Sequence, residues 1–258
     1  MLEPICDTSS REMPPAAPAL MSLQAVFIDA GNTLLYENPS RFEIYAQAAR
    51  RRGFDLSTER MTELMRLAHR ELPREIDGAF RYSETWFTSY IHRIFHEGLG
   101  LSRSDVPAVQ EELFARFAEP RTFVLFPGAV ELLERLHGKR LAVGIVSNWS
   151  QRLPGILSGL GLAERVDFVL ASAIERVEKP DLEMFARACA RAGAEPSRAL
   201  HAGDDPKKDV AGALAAGLSA VRVDHAGGPG AGKRSDPATG APIVGSLWEL
   251  SDWIHQLS

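Results

Sequence analysis

The sequence predicts an α/β protein, a doubly wound parallel sheet interrupted by one large helical insertion. Three observations predict it. Five short apolar runs are nearly continuous in Val, Ile, Leu and Ala, as strands covered on both faces are. After residue 126 these runs alternate with helical patterns, and such alternation builds parallel sheets through right-handed crossovers. Between Tyr36 and Leu125 helical periodicity dominates and strand signals vanish.

The strands are expected at Ala25–Asp29, Leu141–Ser147, Asp167–Ala171, Ala199–Gly203 and Ser219–Val223. The helices between and after them are expected at Gly128–His137, Gln151–Leu160, Asp181–Arg191, Pro206–Ala216 and Ser246–Gln256. In the insertion the helices are Arg41–Arg52, Ser57–Glu71, Ser83–His96 and Ser104–Phe117, separated by Gly53, Pro73, Gly78, Gly98 and Gly100. A helical block placed directly after the first strand reads as a lid over the active end of the sheet, where ligands of such folds bind. Residues 226–242, rich in glycine and proline, read as a surface loop before a last strand and helix. Residues 1–22 hold four prolines and no basic start, which argues against a secretory signal. They read as a disordered extension, and Met21 is a plausible alternative start to Met1. The expected organisation is a core of 23–35 plus 126–258 and a helical cap of 36–125. With the extension and insertion set aside, the core is about one ordinary domain of ~150 residues.

Composition narrows the function. A net charge of −5 in 258 residues offers no electrostatic case for nucleic acid or an anionic membrane as partner. No apolar run approaches a transmembrane helix. Two cysteines, Cys6 and Cys189, form no disulfide framework, so a reduced, cytoplasmic protein is expected.

The chemistry sits at four strand ends. The first strand runs into Asp29-Ala30-Gly31-Asn32-Thr33, and the second ends Ser147-Asn148. Glu178-Lys179-Pro180-Asp181 follows, with Pro180 suited to the first position of a helix, and the fourth strand ends Gly203-Asp204-Asp205 with Asp209 one turn on. A carboxylate can attack phosphorus to form an aspartyl phosphate. Mg²⁺, hard and oxygen-seeking, would be satisfied by Asp29, Asp204, one backbone carbonyl and waters. Ser147, Lys179 and the loop amides near Ala30 would hold the phosphoryl oxygens, with Asn148 at the same edge.

These four ordered motifs, with the SNWSQRL, EKPDLEMF and HAGDDPKKDVAGALAAG blocks, resemble the haloacid dehalogenase-like (HAD) hydrolase superfamily, subfamily IA, over residues 24–225 and 243–257. The resemblance implies a Rossmann-like core with strand order 5-4-1-2-3 and a helical cap between the first two motifs. It also implies Asp29 as nucleophile, Ser147 and Lys179 as phosphate ligands, Asp204 as a Mg²⁺ ligand, and Asp209 or Asp205 orienting a metal-bound water. Phosphatases of the family carry a second Asp two residues after the nucleophile as general acid/base. Here that position is Gly31, whose carbonyl can still ligate Mg²⁺ but which has no acid, a group typically contributing ~10²–10⁴-fold in rate.

The expected function is therefore a Mg²⁺-dependent phosphatase of a small phosphorylated metabolite. Two alternatives stand beside it: a dehalogenase-like, carbon-centred hydrolase, whose first motif also lacks the second Asp, and a weakly active or non-catalytic phosphometabolite-binding protein. Phosphonoacetaldehyde hydrolysis needs a cap lysine, and residues 36–125 contain none. Thirteen arginines lie in that segment. Most read as solvated faces, with one or two free to reach the cleft together with Tyr36, Trp86, Phe87, Tyr90 and Trp149. Thr33 reads as a structural hydroxyl of the motif turn, and Asn32 as a left-handed turn residue. His201 reads as packing beside the strand end. Gly227–Lys233 misses the Ser/Thr of a P-loop, and His92 with His96 lacks a third zinc ligand.

Overall fold

The computed structural model describes residues 23–227 and 234–257. The expected N-terminal extension, Met21, Cys6 and most of the Gly227–Lys233 run lie outside the described residues. In chain order the elements begin with β1 (Ala25–Ile28), β2 (Leu35–Glu37), α1 (Arg41–Arg50) and α2 (Thr58–Glu71). A hairpin of β3 (Glu75–Ile76) and β4 (Ala79–Phe80) precedes α3 (Glu84–His92) and α4 (Val106–Ala118). Then follow β5 (Phe123–Leu125), α5 (Ala129–His137), β6 (Ala142–Ser147), α6 (Leu153–Gly159), β7 (Phe168–Ala171), the single turn α7 (Ser172–Glu175) and α8 (Leu182–Ala192). The chain closes with β8 (Ala199–Gly203), α9 (Gly212–Ala215), β9 (Ser219–Val223), β10 (Arg234–Ser235), β11 (Pro242–Val244) and α10 (Leu247–Leu257).

The sheet order is β10-β11-β9-β8-β1-β6-β7. All pairs are parallel except β10 with β11. The run β9-β8-β1-β6-β7 reproduces the expected 5-4-1-2-3 order, so this is an α/β, Rossmann-like fold. The all-apolar β1 is buried along its length because both faces are covered. Its alternate residues point opposite ways. Val26 and Ile28 join a cluster with Leu132, Leu153 and Leu250, while Ala25 and Phe27 join Met184, Phe185 and Val210 on the other face.

The insertion packs its own core around Met61, Trp86, Phe95 and Val109. Ser40, Ser57 and Ser83 start its first three helices, each hydroxyl accepting from a backbone N–H of the first turn. Two details depart from expectation. The third helix leaves the α form for a π turn at Arg93–Gly98. Strands also occur where none was expected: the β3–β4 hairpin, and a ribbon pairing Leu35 with Leu125 across β2 and β5. Two- and three-residue strands are too short to show a period of two. The ribbon carries the chain out of the sheet region and back; the expected boundary at 35/36 falls inside it and the one at 125/126 at its end.

Candidate active site

The C-terminal ends of β1, β6 and β8 converge with the loop after α7. Asp29, Ser147, Lys179 and Asp209 are all more than nine-tenths buried, so their polar groups must satisfy one another. Lys179 Nζ donates to Asp29 Oδ1 at 2.7 Å and to Asp209 Oδ1 at 2.5 Å. Asp209 Oδ1 also meets His201 Nε2 at 2.9 Å, and its Oδ2 accepts from the Asp205 N–H at 3.0 Å. Gly203 makes room for that carboxylate: a Cβ there would sit 2.3 Å from Asp209 Cγ. Oxygens of Asp29, Asp204 and Asp209 all lie within 4.8 Å of one another.

Burial raises the pKa of Asp29, opposed by Lys179, while Asp209 adds to the rise and the Ser147 hydroxyl bond resists it. Burial pulls on Asp209 in the same direction, but Lys179 and His201 outweigh it and hold that carboxyl below the usual range. Lys179 is held charged despite burial by Asp209 and Asp29. Burial, then repulsion from Asp29 and Asp209, lifts Asp204 to about 7. Burial and Lys179 keep His201 neutral near pH 7.

The motif residues fall into distinct jobs. Ala30 is buried, and its carbonyl accepts from the N–H groups of Leu34 and Leu35, closing the turn after Asp29. Asn32 is left-handed at φ 55°, as expected, and its amide reaches Asp204 at 3.5 Å. Thr33 braces the turn through its carbonyl, which accepts from His225 Nε2 at 2.9 Å. Its hydroxyl has no hydrogen-bond partner among the described residues, unlike the expectation. Asn148, expected among the substrate ligands, grips the Lys179 backbone, donating to its carbonyl and accepting from its N–H, both at 2.8 Å. Pro180 does not open a helix: Asp181 caps α8 and Pro180 lies before it, after a cis bond from Lys179. Asp205 caps the π turn Pro206–Ala211 through the N–H groups of Lys207 and Lys208. His201 is fully buried against Phe185, as expected.

A cavity of about 150 Å³ opens beside the motif turn, between the insertion and the sheet. Arg41, Asn148 and Trp149 belong to its wall, with Tyr45, Trp86 and Phe114. A Cβ on Gly31 would lie 3.0 Å from Trp149 Cζ3 and 3.9 Å from Arg41 Nη2, so position 31 abuts two residues of the cavity wall. Of the insertion's arginines, Arg50, Arg52, Arg60 and Arg93 pair with glutamates on its surface, as expected. Arg74 and Arg81 instead reach the buried Glu178, at 2.7 and 3.2 Å. That contact and the cavity residues Arg152, His69 and Tyr82 were not legible as site residues, because no local motif marks them.

A sequence model of the haloacid dehalogenase-like hydrolases matches residues 23–217. The chain belongs to that family. It is a HAD-like hydrolase, and relatives carry different names. The human haloacid dehalogenase-like hydrolase domain-containing protein 3 is 31% identical over 76% of this chain and 79% of its own. A ribulose-1,5-bisphosphate 5-phosphatase of Halopiger xanaduensis is 30% identical over 89% and 98%. The L-2-haloacid dehalogenase structure from Xanthobacter autotrophicus, 20% identical, covers 92% of this chain and all of that one with a TM-score of 0.65, a likeness of fold alone.

The donor set of this HAD-like hydrolase fits a hard divalent cation. Three carboxylates face one lysine, and burial together with repulsion from Asp29 and Asp209 lifts Asp204 to about 7, an arrangement that a cation would relieve. Asp209 lies within the cluster as expected, with Lys179 and His201 at one oxygen and the Asp205 N–H at the other. No helix among the described residues is long and apolar enough to cross a membrane.

Proposed function

We propose that this hydrolase is a Mg²⁺-dependent phosphatase of a small phosphorylated molecule, with residues 36–125 as its cap. The observation that carries the reading is the charge imbalance: Asp29, Asp204 and Asp209 share one buried lysine. An anionic haloacid would meet that excess uncompensated, whereas a divalent cation balances it and also draws in a phosphate. The family relative named a phosphatase supports the same side.

Asp29, Asp204 and the Gly31 carbonyl would hold Mg²⁺, which neutralises charge on the phosphoryl oxygens. Asp29 attacks phosphorus, and Ser147 and Lys179 bind the oxygens as charge spreads over them. Asp209 fixes Lys179 from behind, and Asn148 fixes its backbone. Water then releases phosphate from the aspartyl phosphate. The buried thiol of Cys189 suits a reducing, cytoplasmic setting.

The test is a panel of phosphate esters and acetyl phosphate with and without Mg²⁺, beside a halide-release assay on 2-haloacids. Mg²⁺-dependent phosphate release, abolished by Asp29→Asn, is expected. Metal-independent halide release without phosphate release would replace this reading with the dehalogenase one.

A further inference from the structure

We propose, resting on the phosphatase reading, that the cavity beside Gly31 is the leaving-group site and that it takes aryl phosphates, esters whose leaving group is flat, aromatic and uncharged. Two independent observations converge on this class.

The first is the wall. Tyr45, Trp86, Phe87, Phe114, Phe117 and Trp149 supply rings from the insertion and the sheet side. Several of the polar groups among them are already matched within the protein. Arg41 pairs with Glu37 at 2.7 Å. Arg152 pairs with Glu84 at 2.6 Å while lying 4.9 Å over the Phe114 ring. Tyr90 Oη donates to the Met65 carbonyl, Trp86 Nε1 to the Pro73 carbonyl, and His69 meets Tyr82 Oη at 3.1 Å. A leaving group with a second phosphate or a carboxylate would compete with Glu37 and Glu84 for these arginines and leave much of its charge among apolar rings. A flat apolar ring loses nothing and gains stacking and edge contacts.

The second observation is the missing acid. The space a side chain at position 31 would use is filled by the Trp149 ring, so the departing oxygen meets no proton donor there. An alkoxide, whose parent acid has a pKa near ~16 like water, departs poorly unprotonated. An aryloxide, of parent pKa near ~10, departs as the anion. The step balances without an added acid. Asp29 Oδ forms a bond to phosphorus, and the P–O(aryl) bond breaks with its electron pair on oxygen. The aryloxide takes its proton from solvent after leaving. The same ring that displaces the acid thus extends the aromatic wall to the reacting centre.

The test separates the inference from the reading it rests on. Calorimetry with Mg²⁺ compares two phosphonates that cannot be hydrolysed in this way, phenylphosphonate and methylphosphonate. The phenyl compound is expected to bind about tenfold tighter. Phe87→Ala and, independently, Phe114→Ala should erase most of that preference. In turnover, phenyl phosphate should exceed glycerol phosphate in kcat/KM, and the two variants should raise KM about tenfold more for phenyl phosphate than for acetyl phosphate. Equal binding of the two phosphonates, or variants that weaken both alike, overturns the aryl inference even if acetyl phosphate is hydrolysed. Absence of Mg²⁺-dependent acetyl phosphate hydrolysis overturns the phosphatase reading, and the phosphonate comparison still decides what the cavity takes. Binding of neither phosphonate overturns both.

Discussion

The Trp149 ring stands 3.0 Å from the position a Cβ on Gly31 would take. Its placement is fixed: the Trp149 N–H donates to Ser172 Oγ at 3.1 Å, and the ring packs 5.6 Å from Phe123. Restoring an acid at position 31 is therefore more than a one-residue change. Gly31→Asp alone should cost about 1–3 kcal/mol through overpacking and give no gain on glycerol phosphate. Gly31→Asp combined with Trp149→Ala should raise kcat on that ester by roughly 10²-fold or more. Steady-state kinetics on the two variants checks both halves.

Asp209 is the anchor of the buried cluster. Removing it leaves Lys179 with Asp29 alone and takes the partner of His201 Nε2 away. Breaking a buried pair by deleting one member costs about 3–5 kcal/mol. Asp209→Ala should lower the unfolding free energy measured by urea denaturation by that amount, a loss larger than for Asp205→Ala, whose carboxylate caps a turn at the surface.

The sequence revealed what lies in consecutive residues. Asp29, Ser147, Lys179 and Asp204 each end a strand or head a short motif, so the fold's topology brings them together and their meeting could be foreseen. The jobs of Asn148 and Asp209 could not be, because each depends on which neighbour its oxygens meet across 31 and 30 residues. The Trp149 ring at Gly31 was equally hidden: a glycine in sequence says that a side chain is absent, never what occupies its space. Cavity residues such as Tyr45 and Leu113 sit in helical periodicity that reads as core, and most of their surface is core.

Asp204 gives a pH signature. Its folded pKa, about 7, stands above the ordinary carboxylate range because burial and then Asp29 and Asp209 disfavour the anion. Without metal the folded state therefore holds this proton more tightly than the unfolded state. That contribution favours folding at low pH and is lost as pH rises from the ordinary carboxylate range through about 7. Asp204→Asn should thus raise the metal-free Tm relative to the parent protein at pH 8, and the gap should narrow at pH 6. Mg²⁺ should raise the Tm of the parent and not of the variant. Differential scanning calorimetry at the two pH values, with EDTA or Mg²⁺, measures all four cases.

Glu178 ties the β3–β4 hairpin side of the insertion to the loop that carries Lys179. Its carboxylate is buried, Arg81 is 16% exposed at the side chain and Arg74 is 51% exposed. An exposed ion pair contributes little, a buried charged hydrogen bond about 1.5–3 kcal/mol. Arg81→Ala should therefore speed amide exchange at 75–80 substantially, and Arg74→Ala only slightly. Hydrogen-exchange mass spectrometry distinguishes this contact from a symmetrical double bridge.

Gly31 also bears on the second half of the proposed reaction. An aryl leaving group needs no acid, so Asp29 can be phosphorylated efficiently without one. Hydrolysis of the aspartyl phosphate needs a base to take a proton from water, and Gly31 offers none. Asp209 is a weak base, since Lys179 and His201 hold its carboxyl below the usual range despite burial. Breakdown should then limit turnover, and the rate should stop depending on the leaving group. Stopped-flow mixing with 4-nitrophenyl phosphate and Mg²⁺ should show a burst of about one aryl alcohol per enzyme before a slow steady phase. The steady rates for phenyl and 4-nitrophenyl phosphate should coincide, and denaturing the protein during that phase should leave phosphate attached to Asp29. A linear trace from the first turnover, with steady rates that follow the leaving group, would place the slow step at P–O(aryl) cleavage and point to an unrecognised base for the attacking water.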